Sequence, residues 1–65
     1  MNANQIKITF FQAHGVFTEI VIDREKMQAQ INRFVECKVR AQVYDLTGKI
    51  GEVRPSNGKW EYSHD

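Results

Sequence analysis

Few residues in this chain are equipped for chemistry. His14, His64 and Cys37 are its strong soft-metal ligands, and their spacing matches none of the close Cys and His pairs that build zinc sites. His14 falls within a turn, so neither a metal nor a cofactor is expected. A Cys–His nucleophile pair needs its base within hydrogen-bond reach. Cys37 is expected on the inward phase of a strand, where a thiol acts as a small hydrophobe, and His14 is expected at a loop tip. Eight Asp and Glu are scattered singly. Gly48-Lys49-Ile50-Gly51 lacks both the spacing and the following helix of a phosphate loop. No enzymatic activity is expected.

What remains is a recognition chemistry of aromatic rings beside bases, and the elements must bring those residues together. Residues 5–22 read as two strands around Ala13-His14-Gly15. A three-residue loop with Gly last, in the left-handed conformation, pairs Gln12 with Val16. Counting outward, Phe10 faces Thr18, Ile8 faces Ile20 and Ile6 faces Ile22. The opposite face holds Phe11 against Phe17, Thr9 against Glu19 and Lys7 against Val21. A two-residue His-Gly turn would mix charged and apolar residues on both faces, so the three-residue register is preferred.

Asp23-Arg24-Glu25 opens a helix, with Asp as N-cap and Glu in the first turn. Met27, Ile31, Phe34 and Val35 form one apolar stripe at helical spacing, which should lie on the Ile6/Ile8/Phe10/Ile20/Ile22 face. Residues 36–62 read as a three-stranded meander in which Cys37, Val39, Ala41 and Val43 point inward. A Leu46-Thr47-Gly48 loop pairs Ala41 with Val53 inward and Tyr44 with Ile50 outward. Asn57-Gly58 is a strong hairpin signal; it pairs Val53 with Tyr62 and Pro55 with Trp60 inward, and Arg54 with Glu61 outward. Pro55 belongs at an edge, and residues 1–4 and 63–65 read as frayed ends. The expected fold is α+β, in the order β-β-α-β-β-β, with one helix on one face of a small, mostly antiparallel sheet, flat or curled toward a half-barrel.

The bulk numbers set limits on this scheme. A chain of 65 residues has room for one domain and buries only about 60% of its unfolded surface, so its stability is marginal. Nine Lys and Arg against eight Asp and Glu give a net charge of +1, far from the strongly basic balance of a protein that grips nucleic-acid backbone. A lone cysteine argues for a reducing, cytoplasmic setting. No membrane span or signal peptide is expected.

The outer face then collects Phe11, Phe17, Val21, Tyr44 and Ile50, with Lys7 and Arg40 beside them. A contiguous apolar patch with a polar rim marks a contact surface. The expected partners are a second copy of the chain, since two-fold dimers dominate soluble oligomers, and another protein. The same face supplies an alternative, a nucleotide or single-stranded nucleic-acid binder, because rings beside bases stack unpaired nucleobases. Glu19, Glu52 and Glu61 on that face oppose phosphate. If the sheet curled fully, Phe11 and Phe17 would instead enter a barrel core.

A hairpin containing Phe17-Thr18-Glu19-Ile20-Val21-Ile22, a short amphipathic helix, and Lys38-Val39-Arg40-Ala41-Gln42-Val43-Tyr44-Asp45 closing with Gly51-Glu52-Val53 together resemble small phage-encoded accessory proteins of the Dmd antitoxin type. The likeness is one of pattern and spans residues 6–53; Trp60-Glu61-Tyr62 has no counterpart in it. The resemblance implies a protein that binds and blocks a host defence toxin by contact, without catalysis. No binding residue is carried over from it.

Overall fold

Alternation of Ile6, Ile8 and Phe10 with Lys7, Thr9 and Phe11 produces the first strand, β1 (Gln5–Phe11), and its partner β2 (Phe17–Asp23) follows in the register read from the loop. The computed structural model describes residues 1–12 and 15–65, so Ala13 and His14 lie outside the described residues. Gln12 donates its backbone N–H to the Val16 carbonyl at 2.9 Å, and Gly15 takes φ 75°, as a Gly-last loop requires.

After a 3-10 turn at Arg24–Lys26 comes α1 (Met27–Cys37), then β3 (Ala41–Asp45), β4 (Gly48–Ser56) and β5 (Lys59–His64). The strands form one antiparallel sheet in the order β2-β1-β3-β4-β5. The sheet is open, with β2 and β5 at its edges, so it makes no barrel around Phe11 and Phe17. The helix covers one face. Ile31 and Phe34 join Ile6, Ile8, Ala41, Val43 and Val53 in the buried core, with Trp60 and Tyr62 packed against it.

Four sequence expectations need correction. Asp23 is extended and makes no side-chain capping bond; the Arg24 N–H instead reaches the Asn4 carbonyl at 2.7 Å, which ties the helix entry to the N-terminal segment. That segment is a turn rather than a frayed end, since Gln5 N–H bonds the Asn2 carbonyl at 3.0 Å. At the other end, β5 runs on through His64, and Asp65 N–H bonds the Ile50 carbonyl at 3.1 Å.

The third correction moves Cys37 from a strand to the last turn of α1, where it is exposed. The helix runs on through Cys37 and stops only at Lys38, which takes φ 57° and ψ 49°. Lys38 N–H bonds the Val35 carbonyl at 3.2 Å and Val39 N–H bonds the Phe34 carbonyl at 3.0 Å, the two bonds of a Schellman cap. A left-handed Lys is strained where Gly is not. Lys38→Gly is therefore expected to raise the unfolding free energy by about 1 kcal/mol, read as a higher urea midpoint at unchanged slope.

The fourth concerns the β3–β4 connection. Its turn is the two residues Leu46-Thr47, closed by Asp45 opposite Gly48. The Asp45 carboxylate accepts the Thr47 N–H at 2.7 Å and the Thr47 hydroxyl as well. These bonds, the hydroxyl first, hold the Asp45 carboxyl below the usual Asp range, with a smaller contribution from Arg24 at 3.3 Å. The carboxylate lock therefore operates above the ordinary Asp range and is lost only as the pH falls through the lowered value. The tighter turn shifts the extra residue into the strand as a bulge, so Tyr44 faces Lys49 and Ile50 packs against the core. The Asn57-Gly58 turn is as expected, with φ 52° and 81°, the pair of left-handed residues of a type I′ turn. Pro55 faces Trp60 and lies beyond the start of β3, which meets β4 only from Val53 onward, so its missing N–H leaves no bond unmade on that side.

Candidate functional site

Strand register sorts the outer face into rows that run across the sheet. One row is Phe17, Phe11 and then Arg40, which stands just before β3. The next is Glu19, Thr9, Gln42, Glu52 and Ser63. The third is Val21, Lys7, Tyr44 and Lys49. Six of the seven residues expected to form the contact surface, Phe11, Phe17, Val21, Tyr44, Lys7 and Arg40, therefore share this face. Ile50 does not, because the bulge turns it to the core.

The Phe11 and Phe17 rings stand with centroids 3.9 Å apart, tilted by 36°. They are 47% and 63% exposed, and Val21 is 51% exposed. The contact follows from the loop register, which makes Phe11–Phe17 the pair just inside the bonded Gln12–Val16 pair, where side chains approach most closely. It is worth about 0.5–1.5 kcal/mol beyond area burial and leaves about half of each side chain exposed.

Around the rings several polar groups contact one another. Lys7 Nζ lies 5.0 Å from the centroid of the Tyr44 ring, the arrangement of a cation–π contact. The Tyr44 hydroxyl donates to Gln42 Oε1 at 2.7 Å. Lys49 Nζ meets Glu52 Oε1 at 3.2 Å, and that partner raises the Lys49 pKa. Arg54 faces Glu61 in the register but bonds Ser63 Oγ at 3.4 Å. The face thus carries both signs of charge in close alternation.

A small cleft of about 60 Å³ opens beside the two rings, walled by Thr9, Phe11, Phe17, Arg40, Gln42 and Glu52. No family model, curated protein or solved structure matches the chain. The site is therefore read from its own geometry. That geometry includes a second hollow which sequence reasoning missed, a groove of about 350 Å³ at the end of α1. It is lined by Phe10, Phe34, Cys37 and Val39, with Gln12, Gln30 and Arg33 at its rim. Phe11 borders both hollows. Apolar alternation through Cys37 and Val39 mimicked a strand and hid the groove; the available signal was the position of Cys37 one turn beyond Phe34 on the helical stripe.

Cys37 lies at the helix end and His64 on the opposite edge strand, against the Tyr62 ring. Among the described residues, no three of His, Cys, Asp and Glu gather closely enough to hold a metal ion. Among the described residues, no helix is long and apolar enough to cross a membrane.

Proposed function

We propose that the chain is a non-enzymatic, cytoplasmic binding protein that engages another protein through the outer sheet face around Phe11, Phe17 and Val21, and blocks that partner by covering its surface. The single observation that carries this reading is the close Phe11–Phe17 ring pair, left about half exposed on the outer face at the loop end of the β1–β2 hairpin. Solvent-exposed aromatics grouped on a rigid sheet, with polar residues around them, have the make-up of an interface centre. The Glu19, Glu52 and Glu61 carboxylates on the same face, with Glu52 paired to Lys49, favour a protein surface over a polyanion, which is gripped by a field of cations. The resemblance to phage-encoded antitoxins points the same way.

Arg40 beside the two rings supports a second reading, a nucleotide or single-stranded nucleic acid stacked in the cleft. Glu52 on the same wall opposes it. Capture from a bacterial extract by the immobilised chain separates the two, when wild type is compared with Phe11→Asp. Proteins retained by wild type after nuclease treatment and in high salt, and absent from the Phe11→Asp capture, are the expected result. Retention that disappears with nuclease or with salt assigns the face to nucleic acid, and identical capture by both chains removes the face from the function.

A further inference from the structure

We propose that the free edge of β2 pairs with β2 of a second copy, antiparallel about a two-fold axis at Ile20, so that two five-stranded sheets join into one. This goes beyond the face contact above, since it uses the backbone edge of the sheet. The hydrogen-bonding phase of β2 is set at both ends of the hairpin. Gln12 N–H bonds the Val16 carbonyl at 2.9 Å, and Arg24 N–H bonds the Asn4 carbonyl at 2.7 Å. Between them, alternation makes Phe10–Thr18, Ile8–Ile20 and Ile6–Ile22 the bonded pairs. The N–H and C=O groups of Phe17, Glu19 and Val21 therefore point away from β1, off the edge of the sheet. Among the described residues, no backbone group bonds to them.

The strand is open on its other sides too. Phe17 and Val21 are exposed on the outer face. On the inner face Thr18, Ile20 and Ile22 are only half-buried, because α1 lies over β4 and β5. An edge strand normally carries a Lys, a Pro, a bulge or a covering element that prevents pairing. Phe17-Thr18-Glu19-Ile20-Val21-Ile22-Asp23 has no Lys, Pro, bulge or covering element, and Glu19 is its one charge short of the terminal Asp23. At the opposite edge, β5 has α1 over its inner residues and Lys59 and Glu61 along its outer ones.

Self-complementarity selects the second copy as the occupant and Ile20 as the centre. Pairing centred on Glu19 sets two Glu19 carboxylates directly opposite each other. Centring on Val21 sets Glu19 against Asp23 of the second copy. Like charges directly opposed are destabilising. Centring on Ile20 puts Glu19 opposite Val21 of the second copy and Phe17 opposite its Asp23, while the two Ile20 side chains meet at the axis. Glu19 and Val21 then exchange the bonds that both strands leave free. The two-fold operation uses each β2 edge once, so the assembly closes as a dimer.

Light scattering is expected to give twice the mass of the 7.6 kDa chain. Glu19→Pro removes an outward N–H without touching the bonds to β1, and is expected to give a monomer with an unchanged circular dichroism spectrum. In a Cys37→Ser background, Ile20→Cys is expected to oxidise to a covalent dimer, since a non-bonded antiparallel pair brings its Cα atoms to about 4.5 Å. Thr18→Cys, whose thiols stand out of register, is expected to stay uncrosslinked. Phe11→Asp lies off the edge and keeps the dimer, so failure of the face contact and failure of this pairing are separable. A monomeric wild type, a dimeric Glu19→Pro, or equal crosslinking at both positions overturns the proposal; if Glu19→Pro does not fold, the crosslinking pair decides alone.

Discussion

Phe34→Ala is expected to remove about 3–5 kcal/mol of stability, enough to leave the chain largely unfolded. Phe34 is 7% exposed and is the largest side chain that α1 places in the core. Its ring lies 4.9 Å from that of Phe10, and its carbonyl accepts the Val39 N–H that closes the helix. Removing the ring widens the helix-end groove into the core and releases Phe10 and Val39 together. Domains are stable by roughly 0.05–0.15 kcal/mol per residue, which for a chain this short is of the same size as the loss. Urea unfolding followed by circular dichroism is expected to show no folded baseline, or a midpoint shifted close to zero denaturant.

A comparable effect is expected at a residue with no side chain. Gly51 sits in the middle of β4, is buried, and lies under the Tyr62 ring. A Cβ at this position would overlap the Tyr62 hydroxyl and ring carbon and would come within 2.8 Å of the Ser63 carbonyl oxygen. The tyrosine can swing away, but the backbone oxygen cannot move without opening the β4–β5 ladder. Tyr62 also gives up its approach to the Ile50 carbonyl at 3.5 Å. Gly51→Ala is expected to cost about 1–3 kcal/mol, and Gly51→Val more. The signature is a lowered urea midpoint. The Tyr62 hydroxyl, whose pKa burial raises, would also titrate closer to its ordinary range.

The parts of this fold legible in the sequence are those where one residue type dictates the turn. Gly15 and the Asn57-Gly58 pair set the registers of the first and last hairpins, and every pairing counted outward from them is present. The β3–β4 register was legible as far as Val43 opposite Gly51 and then failed, because the Asp45 carboxylate bonds Thr47 and, with Gly48 at φ 120°, closes a two-residue turn. Ile50 was assigned to the wrong face for the same reason. The end of α1 was misread because Lys38 carries no glycine signal although it adopts a glycine conformation. With Cys37 placed in a strand, the groove between Phe10, Phe34 and Val39 was not legible. The outer face was legible wherever alternation alone decides it. Phe10 and Phe11 separate onto opposite sides of β1, and Phe11 meets Phe17, as the loop length requires.

On the proposed reading the Phe11–Phe17 pair serves contact and the fold does not depend on it. The unfolding free energy of Phe11→Asp, measured by urea titration beside wild type, tests this most directly. Loss of the ring pair alone predicts a cooperatively folded chain weakened by about 0.5–1.5 kcal/mol. A loss of about 3 kcal/mol or more, the range of a buried aromatic, would place Phe11 in the core and contradict the account.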